Sequence, residues 1–222
     1  MDTVLRQRAR DILKRSGLSR QLPEHGLLLD VGAGSGHLSE AVIRRMPGRT
    51  CVATDLDHVP PPRLAARMRH RDFHALRADG QRLPFADATF DAAWIGFVLH
   101  HMAPDQQDRV LDEVARVVRP GGALLLLEDT PATPSEYRTT LAADRRLNME
   151  SRAAPHHYRS PAAWRAALPA RGWRVLTEEA FTRLLPPATL RPVPHRLFVC
   201  RQDGRQQGAA PPSSAPCPRA GA

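Results

Sequence analysis

The sequence predicts an α/β fold, a three-layer arrangement with a mostly parallel sheet between helices, on three observations. Short apolar runs bounded by turn residues recur through the first 130 residues: LLLDV at 27–31, CVATD at 51–55 and ALLLLED at 123–129. Between them lie stretches with apolar residues at helical spacing, such as Val110, Leu111, Val114, Val117 and Val118. A glycine-rich turn, Gly32-Ala33-Gly34-Ser35-Gly36, follows the first run directly. Strands apolar on both faces need cover on both, and alternation with helices supplies it in a parallel sheet.

Taken in order, residues 3–16 place Val4, Leu5, Ile12 and Leu13 among charges, which predicts an amphipathic helix stopping near Gly17. Residues 1–24 are expected to be a helical segment that adds to the cover over a substrate. Residues 27–36 are a buried strand feeding a helix over 37–46, which Pro47-Gly48 ends. Residues 51–57 form the next strand, and Pro60-Pro61-Pro62 interrupts the chain before a basic helix through His70. HALRAD (74–79) is the third strand, and DAAWIGFVLHH (91–101) contains the fourth. A helix over 105–118 leads through Pro120-Gly121-Gly122 into the fifth strand. Residues 131–159 break the rhythm. They are polar, basic and punctuated by proline, and predict a lid-like insertion with a helix near 135–148. Ser160-Pro161 reads as an N-cap with proline at the first helical position, opening a helix to about residue 170. WRVLTEEAF and HRLFVCR are two last strands. Residues 25–201 thus form the domain, and 202–222, rich in Gly, Pro, Ala and Ser, a disordered tail.

Composition bounds the setting. A length of 222 residues suits one medium domain. No apolar run approaches the roughly 18 residues of a membrane span, and the N-terminus lacks the apolar core of a secretory signal. Cys51, Cys200 and Cys217 form no CxxC pair and no His/Cys spacing typical of metals, so a reduced, cytoplasmic, metal-free protein is expected. The net charge of +9 suggests an anionic partner. It is unevenly spread: +3 over residues 1–29, −2 over 30–130 and +8 over 131–222. Lys14 is the only lysine among 32 basic residues, so the arginine skew also fits a GC-rich genome.

The glycine loop carries the chemistry. Its glycines allow a sharp turn and close approach of a ligand, and the following helix offers unpaired N–H groups. The spacing is G-x-G-x-G, with His37 where a dinucleotide fingerprint would place its third glycine. Asp55 closes the second strand beside the loop, where its carboxylate can accept both hydroxyls of a ribose. Asp57, further past the strand, is the weaker candidate for that role.

Four segments in order then resemble class I S-adenosylmethionine-dependent methyltransferases. They are LLLDVGAGSGHL, VATDLD, RADGQRLPFADATFDAAWIGFVLHHM and RVLDEVARVVRPGGALLLLED, spanning about residues 25–130. The small-molecule enzymes of ubiquinone and menaquinone biosynthesis are most similar. The resemblance implies a Rossmann-like sheet of seven strands in the order 3-2-1-4-5-7-6, the last antiparallel, with S-adenosylmethionine as cofactor. It implies that Gly32, Ala33 and Gly34 line the methionine part, that Asp30 organises the loop near the ammonium, and that Asp55 holds the ribose. Leu56 would pack on the adenine, Asp79 would accept from its exocyclic amine with Gly80 alongside, and Phe97 would sit near the transferring methyl. Transfer is an in-line displacement, so positioning supplies most of the acceleration, and an oxygen acceptor adds the need for a base.

Candidate bases are His100 and His101, after the fourth strand, where alternation would send only one towards the cofactor. His157 and Tyr158 follow, in the run His156-His157-Tyr158 of the lid-like segment. Arg138, Arg145, Arg146, Arg152 and Arg159 in that segment are either a solvated basic face or a site for an anionic group of a small-molecule acceptor. A nucleic-acid methyltransferase is the main alternative. The fourth strand reads AAWIGF rather than the Asn/Asp-Pro-Pro-Tyr/Phe pattern of many amino-directed enzymes, which argues against it. A cofactor-binding scaffold without turnover and a nicotinamide-dependent oxidoreductase are further alternatives. Either a monomer or a homodimer is expected.

Overall fold

Leu27, Leu28 and Leu29 give the first strand apolar side chains on both faces, which places it inside the sheet. The computed structural model describes residues 10, 22–34, 36–45, 48–56, 72–147, 156–185 and 189–203. In it β1 (Gly26–Val31) lies between β2 (Arg49–Asp55) and β4 (Phe90–Gly96), parallel to both. β3 (Phe73–Arg77) adds in parallel beyond β2, and β5 (Val118–Asp129) beyond β4. β7 (Thr189–Gln202) runs antiparallel between β5 and β6 (Trp173–Leu185). The order β3-β2-β1-β4-β5-β7-β6 is the expected 3-2-1-4-5-7-6.

The side-chain period of two divides the core between the faces. On one face Leu29, Ala93, Ile95, Leu124 and Leu126 meet Val110, Leu111 and Val114 of α2 (Pro104–Val117), with Trp164 and Trp173. On the other, Leu28, Cys51, Trp94, Leu125 and Leu127 meet Val42 and Ile43 of α1 (His37–Arg45). Proline occupies the first position of α2 and of α4 (Pro161–Ala167), where a missing N–H costs nothing. Ser160 caps α4 as its sequence predicts, its Oγ accepting from the Ala163 N–H at 3.2 Å. α3 (Pro134–Leu147), the helix expected in the lid-like segment, packs against β7.

Four boundaries differ from the sequence reading. Pro120-Gly121-Gly122 is not a turn before β5 but a bulge within it. Phe90 pairs with Val118 and Ala92 with Ala123, and Gly121 takes a φ of 75°. The fourth strand ends at Gly96, and Leu99–His101 form a 3-10 turn, so strand alternation does not govern the two histidines. The helix after Ser160 stops at Ala167 and yields to a 3-10 turn, Pro169–Arg171. Gln202, placed by sequence in the tail, ends β7 and is buried, its amide donating to the Ala115 carbonyl at 3.0 Å. Most of the expected N-terminal helix, the basic helix before His70, residues 148–155 and the tail from residue 204 lie outside the described residues.

Candidate active site

The glycine loop is built by its neighbours. Gly32, Gly34 and Gly36 all have positive φ, at 72°, 52° and 69°. A Cβ on Gly32 would fall 2.5 Å from the Val98 side chain, so only glycine fits there. The loop is tied to the end of β2: Gly32 and Ala33 donate to the Thr54 carbonyl at 2.8 and 3.0 Å, and Gly34 N–H donates to Asp55 Oδ2 at 2.8 Å. Asp55 therefore has a second task, holding the loop shut against the strand. Among the described residues nothing lies within 4 Å of the point where a Cβ on Gly34 would stand, so a ligand can approach the backbone there.

Asp30 sits beneath the loop and is buried. The Ser39 hydroxyl of α1 donates to its carboxyl, and Thr54 Oγ1 donates to its backbone carbonyl. Burial pushes the carboxyl up to about 7; the hydrogen bond from Ser39 and the nearby Trp94 indole N–H offset part of this, and the charge of Asp55 adds to it. Leu56 just past β2 is 53% exposed, an apolar side chain without cover beside the loop. Asp79 Oδ1 accepts from Gln81 N–H at 2.9 Å, which fixes the turn after β3. Gly80 packs on Val31, whose Cγ1 would lie 3.1 Å from a Cβ there. Phe97 closes β4 with a φ of 60°, a conformation costly for a bulky residue. Its N–H donates to Leu127 O at 2.8 Å and its ring meets His195 edge-on. The structure thus brings Asp30, Gly32, Ala33, Gly34, Asp55, Leu56, Asp79, Gly80 and Phe97 to one end of the sheet, the carboxyl ends of β1 to β4 where ligands bind in such folds. These groups fit an adenosyl sulfonium: an open glycine backbone, an uncovered apolar side chain and two acids at strand ends.

A second group of side chains adjoins Phe97. Glu128, at the end of β5 and wholly buried, accepts from the Val98 and Leu99 N–H groups with Oε1, at 2.9 and 2.8 Å. Its Oε2 lies 2.7 Å from His100 Nδ1. His100 is 1% exposed, and its Nε2 faces Asp144 Oδ1 of α3 at 3.6 Å. Burial works against charge on His100, but Glu128 and Asp144 outweigh it and push the ring up to about 10. His101 lies against it, ring centroids 4.1 Å apart. Burial and then the charge of His100 push His101 down to about 4, with Asp144 opposing, so its ring is neutral. Asp144 is held down to about 2; burial opposes this, and the hydrogen bonds and charge of the histidines prevail.

Both histidines thus enter one cluster, and the expected choice between them does not arise. Of the next run, His156 belongs to the cluster, its Nε2 2.7 Å from Asp144 Oδ2. His157 does not: it is exposed and contributes its backbone, with N–H donating to His100 O at 2.7 Å. The Tyr158 ring stacks on His100 at 5.0 Å, and its buried hydroxyl has no hydrogen-bond partner among the described residues. Burial, then Asp144, raises that phenol. Arg159 is occupied with Asp108, Pro104 O and the face of Trp164, so it is a strut rather than an anion receptor. Sequence reasoning missed Glu128, Asp144 and His195, and it singled out His157 above His156. Glu128-Asp129 at the end of an all-apolar strand was the available signal, since such an acid must have a buried partner.

Residues 29–126 match a family model described as a methyltransferase domain. A demethylmenaquinone methyltransferase of Thermus thermophilus is 37% identical over 109 residues, covering 47% of this chain and 47% of that protein. One from Corynebacterium urealyticum is 36% identical over 122 residues, covering 54% of this chain and 50% of its own length. The chain spans about half the length of the curated relatives it matches. Among solved structures, an S-adenosylmethionine-dependent methyltransferase from Methanosarcina mazei superposes with a TM-score of 0.66 at 18% identity, over 83% of this chain and 96% of that one. That likeness is one of fold. The matched segment is similar to methyltransferase domains, and the sheet has the class I methyltransferase fold.

Proposed function

We propose that this methyltransferase domain transfers a methyl group from S-adenosylmethionine to a small-molecule acceptor. The carrying observation is the latch between Gly34 N–H and Asp55, which joins an open glycine backbone to a strand-end acid beside the uncovered Leu56. When bound, the cofactor supplies a sulfonium-activated methyl group. Gly32, Ala33 and Gly34 bind its amino-acid part, with Asp30 facing the ammonium from below. Asp55 accepts from the ribose, Leu56 and Gly80 flank the adenine, and Asp79 accepts from its amine. Phe97, held at an unfavourable φ, sets the wall where the methyl leaves.

The histidine cluster serves the acceptor. His101 is its outward member, with 18% of its side chain exposed against 2% for His100. Its nitrogen can take the proton of an acceptor hydroxyl or hold its oxygen. His100 and Glu128 fix the turn that aims it, and Tyr158 backs the ring. His157 stays outside this chemistry. The names of the curated relatives make a demethylated quinone the first acceptor to try. The positive charge of residues 131–222 favours an acceptor with an anionic group, received by residues other than Arg159. Residues 1–24 and 131–159 complete the cover over the acceptor, and the tail outside the domain starts only after Asp203, past the end of β7. No helix among the described residues is long and apolar enough to cross a membrane; a cytoplasmic monomer or homodimer suits the reduced Cys51 and Cys200. Calorimetric titration with S-adenosylmethionine, followed by mass-shift assay against quinols and hydroxy acids, tests the reading. Absence of cofactor binding would overturn it.

A further inference from the structure

The geometry points to a divalent transition-metal site formed by His100, His101 and Asp144, with His156 at its edge, set beside the methyl-transfer centre. One nitrogen of each histidine and one oxygen of Asp144 lie within 4.8 Å of one another. His100 Nε2 is 3.6 Å from Asp144 Oδ1, and His101 Nε2 is 4.0 Å from Asp144 Oδ2. Metal–ligand bonds of about 2.0–2.2 Å hold ligand atoms roughly 3–3.5 Å apart, so closure draws the atoms together by about 1 Å across most of the separations, within reach of side-chain rotation.

Two further observations separate this from a mere ion pair. His100 is almost wholly buried, and its Nε2 is aimed into the group at Asp144 Oδ1, which at 3.6 Å stands just beyond full hydrogen-bond distance, with no closer partner among the described residues. Its other nitrogen is already engaged by Glu128 at 2.7 Å. A carboxylate on one imidazole nitrogen fixes the tautomer and orients the other nitrogen's lone pair, as it does around metal-bound histidines. Glu128 is itself pinned by two backbone N–H groups, so the ring cannot rotate away. Two or three imidazoles and one carboxylate suit Zn²⁺, Fe²⁺ or Co²⁺ and disfavour Mg²⁺ and Ca²⁺, which take oxygen ligands. Sequence spacing hides the set, because Asp144 comes from α3, more than 40 residues after His101.

What the metal does rests on the methyl-transfer reading: it would hold an acceptor through oxygen, as a hydroxyl beside a carbonyl or carboxylate, and lower the pKa of that hydroxyl so that its proton passes to solvent; the oxyanion would form the new C–O bond to the methyl as the sulfonium C–S bond breaks and S-adenosylhomocysteine leaves. Metal binding itself is independent of that reading. The full chain, freed of metal by chelator and dialysed, is titrated with Co²⁺ while visible absorption and stoichiometry are followed. One equivalent with ligand-field bands is expected. Asp144→Asn and His101→Gln should abolish the bands, Glu128→Gln should weaken affinity by about 10–100-fold, and His157→Ala should change nothing. Cofactor binding is titrated on the same samples. His101→Gln, at the most exposed ligand, guards against misfolding of the buried variants, with thermal unfolding as the check. Absence of saturable Co²⁺ binding, or binding undiminished in Asp144→Asn and His101→Gln, overturns the site even if the cofactor binds. Co²⁺ binding without cofactor binding upholds the site and refutes the methyl-transfer reading.

Discussion

The two halves of the candidate active site are assembled in opposite ways. The cofactor half is made of short continuous stretches, each ending a strand: 30–34, 55–56, 79–80 and Phe97. Its polar groups meet mostly backbone, as Asp55 meets Gly34 and Asp79 meets Gln81. The acceptor half is made of side chains from four places, His100 with His101, Glu128, Asp144, and His156 with Tyr158, which meet one another. Backbone-built sites tolerate change around them but not within the turn. Side-chain networks fail when any one member is removed, because the rest are left buried and unpaired.

The largest expected effect breaks the second half. Glu128→Ala leaves two N–H groups and the buried His100 ring without their partner, and should cost about 3–5 kcal/mol in stability by denaturant unfolding. The turn carrying Val98 would loosen with it. Next comes Gly32→Ala in the first half. Its φ of 72° and the 2.5 Å approach to Val98 should together cost about 2–3 kcal/mol and remove cofactor binding in a calorimeter. Asp55→Asn preserves shape but weakens both the latch and the ribose contact, so cofactor affinity should fall by about 2 kcal/mol with little loss of stability.

Acidity sharpens the contrast further. Asp30 is raised in the fold, so its proton is bound more tightly than in the unfolded chain. Its contribution is fully present below its unfolded pKa of 3.8 and is lost as pH rises through about 7. Relative to Asp30→Asn, the wild type should therefore lose about 2 kcal/mol of stability between pH 5 and 7. A flat difference would show that the carboxyl is not buried. The smallest effect is that of His157→Ala, expected within about 0.5 kcal/mol in stability and unchanged in turnover, since the residue is exposed and acts through its backbone. Loss of turnover there would move the acceptor chemistry outward from the cluster.

The same difference explains what could be read in advance. Glycines after an apolar run, and an acid ending the next one, are local signals, so β1, β2 and the loop were legible, and the sheet order followed from the family resemblance these motifs carry. Asp144 sits mid-helix with no spacing that ties it to His100, and only the docking of α3 on β7 brings it there. His156 and His157 differ by one position in a segment without periodicity, so nothing local says which turns inward. The pair His100-His101 was visible as a pair, but the 3-10 turn that points both to one side follows from Glu128 gripping the Val98 and Leu99 N–H groups, a contact 29 to 30 residues away.

Glu128 makes the turn beneath the proposed acceptor region a single rigid casting: main chain and imidazole are fastened to one carboxylate and cannot be tuned separately. Anyone refitting this scaffold to a new acceptor should leave that casting untouched. The exposed Arg138 of α3 is where specificity can be rewritten at little risk to the foundations, whereas its neighbour Tyr137 braces them, its hydroxyl donating to His156 O at 3.0 Å and its ring meeting Tyr158 edge-on.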